Sequence, residues 1–210
     1  MIKVLNYTRN PLTLMGICAS VCYNSEPSPK IGIECIENFH HRVLEYPDVI
    51  VEIQGYSAKM IRELYTHIVG VTRLQESTRY VNYGGFEYVI PESINNNRDA
   101  LSIYTKVMSE IAYAYSQLQH LDIPKEDISN ILPFGMKSKM VLKINARAIL
   151  HMAEVRLCGR AYWEYRNFMR EFLNVVGKID SEWEKIVTYA KPKCKVYGVC
   201  REKKPCKKGE

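Results

Sequence analysis

The chain has 210 residues, 47% of them hydrophobic and 25% charged, with a formal net charge of +6. That length allows one large domain or two small ones with a full core, and no apolar run approaches the roughly 18 residues of a membrane span. The basicity is confined to one end: residues 191–210 hold eight Lys/Arg against Glu202 and Glu210, leaving 21 bases and 21 acids over residues 1–190.

A neutral body argues against a general nucleic-acid binder, which needs its basic stripe on the fold itself. The opening Met1-Ile-Lys-Val-Leu-Asn-Tyr7 reads as a strand rather than a signal peptide, so a soluble, cytoplasmic protein is expected. The expected organisation is a single domain over 1–190 followed by a basic, cysteine-containing tail over 191–210. Fifteen tyrosines against five phenylalanines favour half-buried sites with a polar tip, such as subunit interfaces and ligand pockets.

In chain order, residues 2–7 alternate as a strand. Pro11 to Tyr23 places Leu12, Met15, Ala19 and Cys22 at helical spacing behind an early proline. Ser25 to Lys30 is a proline-containing loop, and Ile31 to Phe39 a second helix ending near His40 and His41. Asp48 to Tyr56 is β-branched and reads as a buried strand. Ser57 is a candidate N-cap for a helix carrying Met60, Ile61, Leu64, Ile68 and Val71 on one face.

Tyr83 to Pro91 reads as a turn and short strand. A long helix over 98–121 follows, with Leu101, Tyr104, Met108, Ile111, Tyr115 and Leu118 on one side. Pro124 opens a short helix to about Asn130, and Lys137 to Ile144 alternates as a half-exposed strand. One continuous helix is expected from Ala146 to about Val176, and a last short one from Ser181 to Ala190. Helices mixed with a few separated strands give an α+β class.

The chemistry-bearing stretch is residues 62–80. It begins as an amphipathic helix and ends in Arg73, Gln75, Glu76, Ser77, Thr78, Arg79 and Tyr80, seven hydrogen-bonding side chains in eight positions. Guanidinium and hydroxyl groups suit a phosphate, and Gln or Glu can read the edge of a base; a solvated loop has the same composition. Arg147, His151 and Glu154 share one face near the start of the helix after Asn145, where the positive end of the helix dipole favours an anion. An Arg–Glu surface pair would look the same. Arg156 and Arg160 form a second polar pair. His40 and Glu45 flank the link into the strand at 48, and His67 lies late in the helix that feeds the stretch.

No HExxH, Ser–His–Asp order, Cys–His pair or dinucleotide-binding GxGxxG is visible, so a reactive group would come from a bound cofactor. Cys18, Cys22, Cys35 and Cys158 read as reduced core residues. Cys194, Cys200 and Cys206 lack an obvious fourth ligand, which makes a poor zinc signature; disulfides and free thiols stay open, and no metal site is assigned.

Taken in order, these segments resemble the flavin-dependent thymidylate synthases, the ThyX family. The resemblance rests on Leu5-Asn-Tyr-Thr8 with Cys22-Tyr23, His40-His-Arg-Val-Leu-Glu45, Ser77-Thr-Arg-Tyr80 followed by Phe86-Glu-Tyr-Val-Ile-Pro91, Asn145-Ala-Arg147, and Arg156-Leu-Cys-Gly-Arg160 with Trp163-Glu164. Lys193-Cys194 and the later cysteines resemble a tail found in part of the family. The resemblance implies a homotetramer of α/β subunits that binds FAD. It also implies transfer of a methylene group from methylenetetrahydrofolate to C5 of dUMP, with reduced flavin as hydride donor and NADPH as reductant.

The same resemblance assigns His40, Glu45, His67, Asn145, Arg147 and His151 to the flavin. It assigns Arg73, Gln75, Ser77, Thr78, Arg79 and Arg156 to the nucleotide, with Arg156 and Ser77 as the catalytic candidates. Two departures stand out. The family's Arg-His-Arg triplet reads Thr66-His67-Ile68, and Glu126-Asp-Ile-Ser129 replaces an arginine-containing segment. Arg73 or Arg62 could restore the charge. The alternatives are a related flavoenzyme acting on another pyrimidine nucleotide, and a non-catalytic nucleotide- or nucleic-acid-binding relative that uses the tail.

Overall fold

A computed structural model describes residues 1–206, so the last four residues of the basic tail lie outside the described part. Its helices and one small sheet make an α+β fold in two compact units. The first unit holds Met1–Ile53, Tyr65–Arg73 and the chain from Val141 onward; the second holds Gln54–Leu64 and Leu74–Met140.

Four strands form the sheet: β1 (Ile2–Tyr7), β2 (Asp48–Ser57), β3 (Val71–Gln75) and β4 (Lys137–Asn145), in the order β1-β2-β4-β3. β1 pairs antiparallel with β2, from Ile2 opposite Ile53 to Tyr7 opposite Val49, with a register shift between Val4 and Asn6. Backbone N–H groups of Asn145 and Glu76 donate to the carbonyls of Gly70 and Lys139 (3.0 and 2.9 Å), so β3 and β4 also run in opposite directions.

In the first unit, helices α1 (Pro11–Tyr23) and α2 (Pro29–Glu37) pack closely because Gly16 presents no side chain. A Cβ there would lie 2.1 Å from the Ser28 carbonyl oxygen. Helices α7 (Ala146–Arg156), α8 (Trp163–Gly177) and α9 (Ser181–Thr188) follow β4. Val49, Val51 and Ile53 of β2, Leu142 and Ile144 of β4, and Ile149, Met152, Phe168, Phe172 and Trp183 of the helices are fully buried and form the core. Asp180 caps α9 by accepting from the N–H groups of Glu182 and Trp183.

The second unit is built on helices α3 (Ala58–Leu64), α5 (Arg98–His120) and the short turns α4 (Glu92–Asn95) and α6 (Lys125–Ile128). Ser57 accepts from the Met60 N–H at 3.1 Å, the expected cap of α3, and Asn97 caps α5. Tyr83, Tyr115, Ile128 and Met136 form a core that Phe86, Leu118 and Leu132 complete.

Three secondary-structure expectations are corrected. The helix after Ser57 stops at Leu64, and Val71 lies in a strand. Gly70 adopts φ +72, a conformation that ends helical progression, and the β-branched Ile68, Val69, Val71 and Thr72 around it favour extended chain.

The continuous helix expected from Ala146 to Val176 is broken over 157–162. There the Arg166 guanidinium donates to the carbonyls of Gly159 (2.7 Å) and Ala161 (3.1 Å), which stabilises a non-helical link. The segment expected as a short strand before Pro91 makes only one bridge, Tyr88 to Met136.

Of the cysteines expected in the core, Cys35 is buried, but Cys22 is exposed on α1 and Cys158 lies in the inter-helix link. Burial pushes the Cys35 thiol above its ordinary pKa, and the neighbouring Glu34 carboxylate adds to it. The tail carries its own turn of helix, α10 (Lys193–Val196), and Tyr197 stacks on Phe39 with ring centroids 6.1 Å apart.

Candidate active site

In the first unit, residues 65–73 and the end of α7 build one cluster. Asn145, the last residue of β4, caps α7 by accepting from the Ala148 N–H at 2.9 Å. Its side-chain amide fills the place beside Gly70 that a Cβ would take, at 2.5–2.7 Å from the ideal position. The glycine thus lets the 66–70 turn lie against the start of α7.

At the other end of the helix, Arg156 turns back onto that segment. Its Nε–H donates to Nε2 of His67 at 3.0 Å, and its Nη2 group donates to the Thr66 hydroxyl at 2.9 Å. Its guanidinium carbon lies 4.4 Å from the centroid of the Tyr165 ring, which belongs to α8.

His67 is the hub. Its ring meets His151 and Tyr165 edge-on, at centroid separations of 6.0 and 5.9 Å. Its main-chain carbonyl accepts a hydrogen bond from Arg73, whose guanidinium also lies 4.5 Å over the Tyr65 ring. Burial, and after it the charges of Arg156, His151 and Arg73, together lower the His67 pKa to about 4. The imidazole is therefore neutral at physiological pH. Because Nε2 accepts from Arg156, the ring proton must sit on Nδ1.

The other residues expected to meet a flavin lie in the same unit. Arg147 forms an ion pair with Glu45, 102 residues away in sequence, and not with Glu154 on its own helix. His40 is exposed at the mouth of the 3-10 turn His41–Glu45, where its N–H donates to the Cys35 carbonyl at 2.8 Å. Glu154 instead lines a cavity of about 330 Å³ with Glu37, Phe39, His41 and Lys195. Arg160, in the link after α7, donates to the Lys204 carbonyl at 3.0 Å and holds the tail.

The second unit carries the polar run that follows β3. Gln75 donates to the Ser138 hydroxyl at 3.2 Å. Ser77 starts a turn: its carbonyl accepts from the N–H groups of Tyr80 and Val81, and its hydroxyl accepts from the Arg79 N–H at 3.3 Å. Thr78 is half-buried beside it. The Arg79 guanidinium pairs with Glu126 at 2.8 Å and sits 5.7 Å over the Tyr80 ring. Glu76 lies beside the buried Tyr83 phenol, whose pKa is raised chiefly by burial and then by that carboxylate. Arg62 stacks on Phe134 at 5.4 Å.

His67, His151, Arg156 and Arg73 are thus gathered into one cluster, and Ser77 and Arg79 into one turn. Sequence reasoning missed Thr66 and Tyr165, which hold Arg156. Thr66 had a signal, as the hydroxyl next to His67. Tyr165 had none, since the break between α7 and α8 that brings it there was not anticipated.

The chain matches a family model described as "Thymidylate synthase complementing protein" over residues 3–180. It is 31% identical to a flavin-dependent thymidylate synthase of Pyrococcus abyssi, the alignment covering 96% of this chain and 89% of the relative. It is 28% identical to one of Clostridium tetani, covering 96% and 90%. Among solved structures, it matches the fold of thymidylate synthase X from Helicobacter pylori, determined with FAD and dUMP, at a TM-score of 0.67 and 18% identity over 90% of this chain and 97% of that one. With 31% identity to a relative over nearly its whole length and the family model matching most of its residues, the chain belongs to the flavin-dependent thymidylate synthase family.

Proposed function

We propose that this protein is a flavin-dependent thymidylate synthase that reductively methylates dUMP to dTMP, with methylenetetrahydrofolate as one-carbon donor and NADPH as reductant. The observation that carries the reading is the Arg156 guanidinium, held by His67, Thr66 and Tyr165 at the end of α7. A fixed guanidinium beside a uracil ring stabilises the negative charge that develops as C5 becomes nucleophilic, and a preorganised cation does so without reorganising in the transition state.

The residues assigned to FAD suit it chemically. The neutral imidazole of His67, the half-buried Asn145 and the exposed His151 and Arg147 offer donors and acceptors to a polar ring edge. Bound there, the flavin supplies the hydride; the protein holds and orients. His40 and Glu45 complete that set. Ser77, Thr78, Arg79 and Gln75 take the nucleotide's phosphate and sugar, where hydroxyl and guanidinium donors suit anionic oxygens.

A cytoplasmic homotetramer fits this reading. Among the described residues no helix is long and apolar enough to cross a membrane, and α5 leaves Ile103 and Val107 66% and 44% exposed. A second reading, action on another pyrimidine nucleotide, is favoured by Thr66 and Ile68, which put no cation on either side of His67.

The test is anaerobic release of tritium from C5-labelled dUMP by purified, flavin-containing protein, with and without the folate. Folate-dependent release with formation of dTMP is expected. A yellow protein that leaves dUMP untouched but turns over another pyrimidine nucleotide would replace this reading with the second.

A further inference from the structure

We propose that the cavity between α2, α7 and the tail binds the aminobenzoyl-glutamate end of a folate, with Phe39 as its aromatic wall and Lys191 and Lys195 as its carboxylate-binding groups. This rests on the folate-dependent reaction proposed above and names where the far end of that co-substrate is held.

The cavity has a volume of about 330 Å³ and lies beside residues assigned to the flavin. His41 on its wall follows His40, and Leu150 and Glu154 flank His151 on α7. Its sides differ in charge. Glu37 of α2 and Glu154 of α7 stand on one side, Lys191 and Lys195 of the tail on the other. Glu37 already accepts from the Tyr189 hydroxyl at 2.8 Å. Lys191, Lys195 and Glu154 form no ion pair among the described residues. Two ammonium groups suit two carboxylates, and a free carboxylate suits an N–H donor. An aminobenzoyl-glutamate carries that set: an aromatic ring, an amide N–H and two carboxylates.

Phe39 is present at a cost to the backbone. It follows α2 in a Schellman motif, in which its N–H donates to the Ile36 carbonyl at 3.2 Å and the His40 N–H to the Cys35 carbonyl at 2.8 Å. Its φ is +58, where glycine or asparagine is usual. Burial offsets little of that strain, because the side chain is 54% exposed. The ring instead packs 5.5 Å from His41 and lines the cavity. A bulky side chain kept in a left-handed conformation without burial marks a place where the side chain itself is used.

Calorimetric titration of the flavin-containing protein with p-aminobenzoyl-L-glutamate and with N-acetyl-L-glutamate separates ring from charge, since both compounds carry the amide and both carboxylates. The aromatic compound should bind wild type at least fivefold more tightly. Combining Lys191→Ala with Lys195→Ala should weaken its binding about tenfold and raise the KM for methylenetetrahydrofolate to match, with flavin content and dUMP affinity unchanged. Phe39→Gly relieves the backbone, so its melting temperature should stay at or above wild type while the aromatic compound binds at least fivefold more weakly. A phenylalanine with a purely structural role would give the reverse: a lower melting temperature and unchanged affinity.

Equal binding of the two compounds overturns the proposal and leaves a basic tail that attracts any anion. Full affinity in the double lysine variant overturns it as well. If Phe39→Gly does not fold, Phe39→Asn, which tolerates the same backbone conformation, takes its place with the same expectations. A protein that binds p-aminobenzoyl-L-glutamate as expected but forms no dTMP counts against the reaction alone. One that forms dTMP with the folate but does not bind p-aminobenzoyl-L-glutamate overturns the site alone.

Discussion

Two stretches only a few residues apart in sequence hold their arginines by different means. At residues 65–73, Arg156 and Arg73 are fixed by a neutral histidine, a hydroxyl, a backbone carbonyl and aromatic faces. At residues 75–80, Arg79 rests on one exposed carboxylate, Glu126, and on Tyr80. A guanidinium gripped along an edge and stacked on a ring is fixed in orientation. One that rests on an exposed carboxylate is held weakly, since exposed ion pairs contribute only about 0–1 kcal/mol. The first arrangement suits charge stabilisation during a reaction; the second suits an arginine that changes partner when an anion arrives.

The largest expected effect follows from the first arrangement. Arg156→Ala should lower the turnover of dUMP by about 10²–10³-fold, the magnitude typical of losing one preorganised charge-stabilising donor. Arg156→Lys should restore little of it, because an ammonium cannot donate along an edge and stack flat on Tyr165. Full activity in the lysine variant would reduce Arg156 to a diffuse positive charge and dissolve the contrast with Arg79.

Next comes the turn that supports the cluster. Gly70→Ala places a Cβ at φ +72 and against the Asn145 amide. The left-handed conformation alone costs about 1–2 kcal/mol, and displacing Asn145 removes the cap of α7, worth about 1 kcal/mol more. Chemical denaturation should therefore show a loss of about 2–3 kcal/mol, together with weaker flavin retention. A change below about 0.5 kcal/mol would mean that Asn145 moves aside freely.

The neutral state of His67 has a pH signature. Its ordinary pKa is 6.5 and its folded value about 4, so between these the unfolded chain takes up a proton that the folded chain refuses. Stability is then complete above pH 6.5 and falls as pH drops toward 4. Arg156, His151, Arg73 and Tyr165 surround the ring, and the cations among them all oppose its protonation. Melting temperature measured from pH 7.5 to 4.5 should fall more steeply in wild type than in His67→Gln. Parallel curves would assign the acid sensitivity to other groups.

Much of the fold was legible because local signals agreed with burial. Pro11, Ser57 and the alternation over 137–144 each mark an element that the structure contains. The failures share a cause. From Met60 to Val71 the apolar residues keep helical spacing, yet Gly70 and the β-branched residues around it make a turn and a strand, because β3 gains a ladder with β4 that no local pattern reveals.

The break after Arg156 was hidden for a similar reason. Arg166, seven residues beyond Gly159, stabilises the link by filling carbonyls that a helix would have used. Family motifs located His67, Arg156, Ser77 and Arg79, but not what holds them. Glu45 and Arg147 are 102 residues apart, and Thr66 and Arg156 are 90 apart, so pairing depends on the fold.

The smallest effect is the sharpest test of the second arrangement. Glu126→Gln removes the carboxylate from Arg79 and leaves an amide of the same shape. Both side chains are more than half exposed, so stability should change by less than about 0.5 kcal/mol. If Arg79 exchanges Glu126 for the nucleotide phosphate, its release should lower the KM for dUMP two- to threefold, whereas Arg79→Ala should raise it about tenfold. If instead Glu126→Gln raises the KM, the carboxylate serves to point Arg79 rather than to occupy it. Both stretches would then work by aiming a guanidinium.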